Sequence, residues 1–193
     1  MAKNTTRKKA SPARSAAPVD GRRRIRLFVM DVDGTLTDGT ITYDQGGAEW
    51  KSFHSRDGAG IRFLPLAGIV PAIVSGRTSA VVLRRAKELD ICEIVQGSKD
   101  KAADLRDLAK RLGLALDEVA FVGDDLSDIP PMRLAGFSAA PSDAAPEAKR
   151  AARFVCTLPG GRGAVREAIE ALLKSEGRWD AVLRAFGAGG GTS

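Results

Sequence analysis

Two aspartates one residue apart, Asp31 and Asp33, stand directly after the apolar run Leu27-Phe28-Val29-Met30. Such a run reads as a buried strand and Gly34 as the break that ends it, so both carboxylates fall where strand gives way to loop. Residues i and i+2 of a strand point the same way. Both acids can therefore face one reacting group, one as nucleophile and the other as proton donor. Crowded carboxylates repel, which invites a divalent cation between them. The same letters also describe an Asx-turn, in which Asp33-Gly34-Thr35 only stops the strand.

Three further polar clusters follow apolar runs. After Ile69 to Val74 comes Ser75-Gly76-Arg77, a hydroxyl and a Gly-exposed backbone N–H suited to an anion at the opening of a helix. After Cys92 to Gln96 comes Gly97-Ser98-Lys99-Asp100-Lys101. A lysine at a helix start opposes the helix dipole, so an anion explains it better than helix stability does. After Val119 to Val122 comes Gly123-Asp124-Asp125-Leu126-Ser127-Asp128, acids able to complete an oxygen site for a small hard cation. Each cluster also has a plain structural reading: Ser75 as a helix cap, Lys101 as a solvated surface residue, Asp128 as a first-turn acid. Together they describe a phosphate held by Ser75 and Lys101 beside a metal held by aspartates.

The elements that must position these residues alternate. Candidate strands are Arg26 to Met30, Ile69 to Val74, Cys92 to Gln96, Val119 to Val122, Phe137 to Ala140 and Phe154 to Cys156; candidate helices are Ala59 to Ala67, Ala80 to Leu89, Lys101 to Leu112, Asp128 to Ala135 and Gly163 to Leu173. Leu105, Leu108 and Leu112 share one helical face, as do Val165, Ile169, Leu172 and Leu173. Alternation of this kind predicts an α/β, Rossmann-like three-layer fold with a central, mostly parallel sheet, whose carboxyl edge is where ligands bind. One segment departs from it: Gly39 to Phe53 reads as a β-hairpin around Asp44-Gln45-Gly46-Gly47, projecting from the rim of the site.

At 193 residues with 44% hydrophobic and 28% charged, the chain suits one soluble domain. No apolar stretch approaches a membrane span and none of signal-peptide type opens the chain, which predicts a cytoplasmic protein without membrane partners. Cys92 and Cys156 lie in apolar runs, have no metal-ligand spacing and read as buried free thiols. The net charge of +6 is local: residues 1 to 26 hold nine Lys/Arg against the single acid Asp20, so the remainder carries −2. Residues 1 to 24 therefore read as a disordered basic tail, residues 25 to 175 as the folded domain, and residues 176 to 193 as a C-terminal tail. A nucleic-acid partner would be a property of the basic tail, and a solvated tail is the plainer account.

The four clusters, Asp31-Val32-Asp33-Gly34-Thr35, Ser75-Gly76-Arg77, Lys101 and Gly123-Asp124-Asp125-Leu126-Ser127-Asp128, resemble the motifs of the haloacid dehalogenase-like phosphatase superfamily. The resemblance implies hydrolysis through an aspartyl-phosphate. Asp31 would be the nucleophile and Asp33 the general acid/base. Thr35, Ser75, Gly76, Arg77 and Lys101 would line the phosphate site. Mg²⁺ would be held by the carboxylates of Asp31 and Asp124 and the backbone carbonyl of Asp33, with Asp125 and Asp128 as supporting acids. Only 35 residues separate Gly39 from Ser75 and 25 separate Ser75 from Lys101, so neither position at which the superfamily inserts a cap has room for one.

Further stretches, Arg56-Asp57-Gly58-Ala59-Gly60-Ile61, Asp143-Ala144-Ala145-Pro146 and Gly160-Gly161-Arg162-Gly163-Ala164-Val165-Arg166-Glu167, resemble one capless family, the 3-deoxy-D-manno-octulosonate 8-phosphate phosphatases, from about Ile25 to Leu173. That implies a phosphorylated sugar-acid substrate of lipopolysaccharide synthesis and a homotetramer in which hairpins meet and the C-terminal tail, residues 176 to 193, reaches toward a neighbouring subunit. Arg56, Arg77 and Arg162 are the cations available to a sugar carboxylate. Gly160 to Gly163 fits either a phosphate or sugar-acid contact or a Gly-rich strand-to-helix turn, and His54 reads as a surface or substrate-side residue. Two rivals stand beside it: a phosphatase for a nine-carbon keto-acid 9-phosphate or for sugar phosphates broadly, which shares every catalytic residue, and a non-catalytic assembly module, against which the intact set Asp31, Asp33, Ser75, Lys101 and Asp124 argues.

Overall fold

A computed structural model describes residues 24–188. Six parallel strands form one sheet in the order β5-β4-β1-β6-β7-β8, where β1 is Leu27–Met30, β4 Val70–Val74, β5 Glu93–Val95, β6 Val119–Val122, β7 Phe137–Ala140 and β8 Phe154–Val155. The hairpin is a separate two-stranded piece, β2 (Thr42–Tyr43) against β3 (Glu49–Trp50). Its turn is tied by Asp44, whose Oδ1 accepts from the Gly46 and Ala48 backbone N–H groups at 2.8 and 2.9 Å.

Strand β1 is central and apolar on both faces because helices cover both sides. Phe28 and Met30 pack with α1 (Ser55–Leu66), α2 (Ala80–Glu88) and α6 (Ala164–Ser175); Leu27 and Val29 pack with α3 (Lys101–Arg111), α4 (Ile129–Leu134) and α5 (Pro146–Ala151). Parallel registers Met30↔Ile73 and Met30↔Val122 bring the carboxyl ends of β4, β1 and β6 level with one another. The segments that follow these three strands thus share one edge.

Three expectations change. Helix α1 begins at Ser55 instead of Ala59. Gly58 and Gly60 weaken the helical signal locally, yet their lack of side chains permits close helix contact: a Cβ on Gly60 would stand 2.8 Å from Arg166 Cδ of α6. The segment expected as a C-terminal tail from 176 contains α7 (Trp179–Ala185), docked on its own chain: Val182 is buried, Trp179 meets Phe63 edge-on at 5.9 Å between centroids, and Arg178 Nη1 donates to the Ile25 carbonyl at 2.7 Å. Cys92 is exposed, whereas Cys156 is buried. The basic tail, residues 1 to 24, lies outside the described residues apart from Arg24. Among the described residues no helix is long and apolar enough to cross a membrane.

Candidate active site

Asp31 follows β1 and its backbone N–H donates to the Val122 carbonyl at 2.9 Å, which locks the nucleophile loop to β6. Asp124 follows β6 by two residues, Ser75 follows β4, and Lys101 opens α3 after β5. Asp100 caps α3, its Oδ1 accepting from Ala102 and Ala103 N–H at 2.9 and 3.0 Å, so Lys101 is free to turn inward. Only 8% exposed, its Nζ lies 3.0 Å from Asp31 Oδ1 and 2.6 Å from Asp128 Oδ1. The anion that explains a lysine at this helix start is thus, first of all, the protein's own carboxylate pair.

Asp128 is fully buried and its second oxygen is equally engaged: Oδ2 accepts from the backbone N–H groups of Asp124 and Asp125 at 3.0 and 3.1 Å. Those bonds fix the loop that carries Asp124. Thr35 Oγ1 donates to Asp124 Oδ1 at 3.0 Å, so the Thr35 hydroxyl orients an acid. Asp124 Oδ2 faces Gly34, where a Cβ would stand 2.1 Å from it, on a backbone at φ +90°. Only glycine fits there.

One carboxylate oxygen from each of Asp31, Asp124 and Asp128 lies within 4.8 Å of the others. Both Asp128 oxygens are spent on Lys101 and backbone N–H groups, so Asp31 and Asp124 are the members of this trio left to take a hard cation such as Mg²⁺. Electrostatics point the same way. Burial, then Asp128, raises Asp31 to about 7 against the pull of Lys101; burial, then Asp128, raises Asp124 to about 6. Burial alone would lower the Lys101 ammonium, but Asp31 and Asp128 outweigh it and hold the group above its ordinary value. A divalent cation would relieve the acids' crowding.

That crowding has a sign. Acids raised in the folded state bind more protons there than in the unfolded chain, so the metal-free protein loses stability as pH climbs from about 4 to about 7. Mg²⁺ takes the deprotonated set. The Mg²⁺-induced rise in Tm should therefore be small at pH 5 and grow through pH 6 and 7 to a plateau near pH 8. Melting curves with Mg²⁺ and with EDTA across that range measure it, and an increment independent of pH would remove these acids as the site.

Ser75 is buried at the tip of β4, and the cap of α2 is Ser79, whose Oγ accepts from Val82 N–H at 3.4 Å. The Ser75 hydroxyl is thus not spent as a helix cap; it accepts from Arg77 N–H at 3.3 Å. Gly76 is exposed between them.

Arg77 Nη2 donates to Tyr43 Oη at 2.9 Å and to Glu49 Oε1 at 3.0 Å, both on the hairpin, while Nε lies 3.6 Å from Asp33 Oδ2. Asp33 Oδ1 accepts from Lys51 Nζ. Ser79 Oγ donates to Glu49 Oε2, and that bond, with Arg77 and Lys51, holds Glu49 below the usual carboxylate range. Tyr43, Glu49 and Lys51 are site residues that motif reading missed. The available signal was strand periodicity: Glu49 and Lys51 are i and i+2, Tyr43 pairs directly with Glu49, and Trp50 between the two acid and base points out, 64% exposed.

The Gly-rich turn contributes backbone. A Cβ on Gly160 would stand 1.8 Å from the Gly34 carbonyl oxygen, one on Gly161 2.5 Å from Asp38 N, and Gly161 N–H donates to the Thr35 carbonyl at 3.0 Å. The turn is a floor pressed against the nucleophile loop. Arg162, beyond it, is exposed, 3.6 Å from Asp38 Oδ2; Arg56 is exposed in the first turn of α1. Asp57 beside it is buried, and its oxygens accept from Gly163 and Arg166 N–H at 3.1 and 2.8 Å, capping α6 from another helix. His54 Nδ1 lies 3.9 Å from Asp57 Oδ2 at that junction.

Acids for a hard cation on one side and a buried lysine on the other, gathered where parallel strands end, define a phosphoryl-transfer hydrolase. The model of the haloacid dehalogenase-like hydrolases matches residues 86–169. More narrowly, the chain belongs to the 3-deoxy-D-manno-octulosonate 8-phosphate phosphatase family: it is 42% identical over 166 residues to the protein of that name from Escherichia coli K12, 86% of this chain and 88% of that one. A phosphatase of the same name from Moraxella catarrhalis, solved with magnesium, phosphate and KDO, superposes with a TM-score of 0.81 at 44% identity over 84% of this chain and 93% of the other. The cobalt-bound Haemophilus influenzae protein gives 0.78 at 39% identity, covering 81% and 92%.

Proposed function

We propose that the chain is a Mg²⁺-dependent phosphomonoesterase that hydrolyses 3-deoxy-D-manno-octulosonate 8-phosphate to the free sugar acid and inorganic phosphate. The observation that carries this is the buried contact of Lys101 with Asp31, 3.0 Å apart, beside Asp124 at the carboxyl edge of the sheet. Phosphoryl transfer needs in-line positioning and neutralised charge above all. Asp31 attacks phosphorus, forming the aspartyl-phosphate as the ester bond to the sugar oxygen breaks. Asp33 gives its proton to that leaving oxygen, then takes one from the water that hydrolyses the intermediate. Lys101 and Ser75 hold the phosphoryl oxygens, and Gly76 leaves the backbone open to them. The Asp31 and Asp124 carboxylates and the Asp33 carbonyl would hold Mg²⁺, which would supply charge neutralisation. Asp128 and Thr35 act on the site by orienting Lys101 and Asp124. Phosphate release from a panel of sugar phosphates, with Mg²⁺ and with EDTA, tests the reading; activity that survives EDTA, or a clear preference for an unrelated sugar phosphate, defeats it.

The sugar carboxylate requires a cation. Arg77 is preset by Tyr43 and Glu49, and its Nε makes no hydrogen bond among the described residues. Arg56 and Arg162 offer exposed guanidinium groups. Replacing the arginine that binds the carboxylate by Ala should raise KM for the sugar phosphate at least about tenfold, the scale of one charge-assisted hydrogen bond, and leave KM for p-nitrophenyl phosphate within about twofold. Equal effects on both substrates for all three variants would exclude the group.

The exposed apolar side chains Ile41, Tyr43 and Trp50 on the hairpin support a homotetramer in which hairpins meet. A chain without a membrane-crossing helix among its described residues, acting on a soluble sugar acid, fits a cytoplasmic setting.

A further inference from the structure

Lys51 is a cation that no step above uses, yet its side chain is 1% exposed. It lies just past β3, its ammonium on Asp33 Oδ1 and 3.5 Å from Glu49 Oε1. Glu49 is itself fixed by Ser79 and Arg77. The two oxygens of Asp33 are therefore unequal. Oδ1 is bound by Lys51, whereas among the described residues Oδ2 has only Arg77 Nε at 3.6 Å, too long for a hydrogen bond. A lysine is rarely buried without a task, and this one reaches the acid/base carboxylate from a hairpin otherwise exposed at the rim.

We propose that Lys51 is the positioning residue for proton transfer by Asp33: anchored through Glu49, it pins Oδ1 and leaves Oδ2 as the oxygen that exchanges the proton. This rests on the reading of Asp33 as general acid/base. In the first half-reaction the bond from Asp31 to phosphorus forms, the bond from phosphorus to the sugar oxygen breaks, and the proton on Oδ2 goes to that oxygen. The ammonium stabilises the carboxylate left behind. In the second half-reaction water attacks phosphorus, the bond from Asp31 to phosphorus breaks to regenerate the Asp31 carboxylate and release inorganic phosphate, and one proton of that water goes to Oδ2. A chain without a cap thus uses its hairpin to set the acid that a sugar leaving group requires.

Leaving groups separate this role from simple packing. A sugar alkoxide must be protonated as it departs, whereas p-nitrophenolate departs without a proton. Single-turnover release of the leaving group reads only the transfer to Asp31. Lys51→Met should slow release from 3-deoxy-D-manno-octulosonate 8-phosphate about 100-fold and from p-nitrophenyl phosphate less than about fivefold, the same selectivity as Asp33→Asn. Lys51→Gln, which keeps a neutral donor at similar reach, should give about a tenfold loss on the sugar phosphate and serves if the Met variant does not fold. Equal losses on both substrates in the Lys51 variants, with Asp33→Asn still selective, overturn the role of Lys51 alone. Equal losses in Asp33→Asn as well overturn the assignment of Asp33 beneath it.

Discussion

Asp31→Asn should lower turnover of the sugar phosphate by four orders of magnitude or more, on the scale of nucleophile removal elsewhere, while the protein stays folded. The amide is nearly the same size and still accepts from Lys101, so the loop bonded to β6 through Asp31 N–H keeps its place. The fold should not suffer for a further reason. Burial raises Asp31 to about 7, which means the ionised carboxylate is held in the metal-free protein against its preference. Removing that charge relieves Asp128 at the same stroke. The Tm without metal should thus be equal to or above that of the parent at pH 8. Steady-state phosphate release and a melting curve together decide the matter, and residual activity above about 1% would disqualify Asp31 as the attacking group.

Lys101→Met carries the second large effect, and it splits into two parts. Structurally, it leaves Asp31 and Asp128 facing each other in the interior without their shared cation. An uncompensated buried charge costs about 3–5 kcal/mol, less at low pH where Asp31 can hold a proton. Catalytically, it removes the ammonium that meets the phosphoryl oxygens, a loss of about 10²–10³ in kcat for one preorganised donor. Adding Asp128→Asn should recover most of the Tm, since it deletes one of the two stranded charges. It should not recover kcat. If turnover returned together with stability, Lys101 would be a structural counter-ion and nothing more.

The sheet was readable because its strands are short, mostly apolar runs: Val119–Val122, stopped by Gly123, and Phe137–Ala140, stopped by Pro141, match their expected limits. Their order alone implies that the four polar clusters share one edge. What escaped depended on contacts distant in sequence. Helix α5 is a short turn begun by Pro146, and α7 owes its existence to Phe63 and the Ile25 carbonyl as much as to its own spacing. Likewise, nothing local to Glu49-Trp50-Lys51 tells that the lysine reaches back to Asp33. Motifs are legible where chemistry is concentrated in a few consecutive residues; the hairpin contributes one residue at a time, and its alternation carries meaning only once the opposite strand and the loop beneath it are placed.

The contact between Gly160, Gly161 and the backbone of residues 34 to 38 joins parts of the chain more than a hundred residues apart, with no side chain to cushion them. During synthesis β1 emerges well before residues 160 and 161, the support under its catalytic loop. A ribosome-bound fragment ending before residue 160 would hold the acids, the serine and the lysine yet lack the surface that keeps them in register. Competence to cleave phosphate thus waits on the Gly160-Gly161 turn, long after the residues that perform the chemistry are in place.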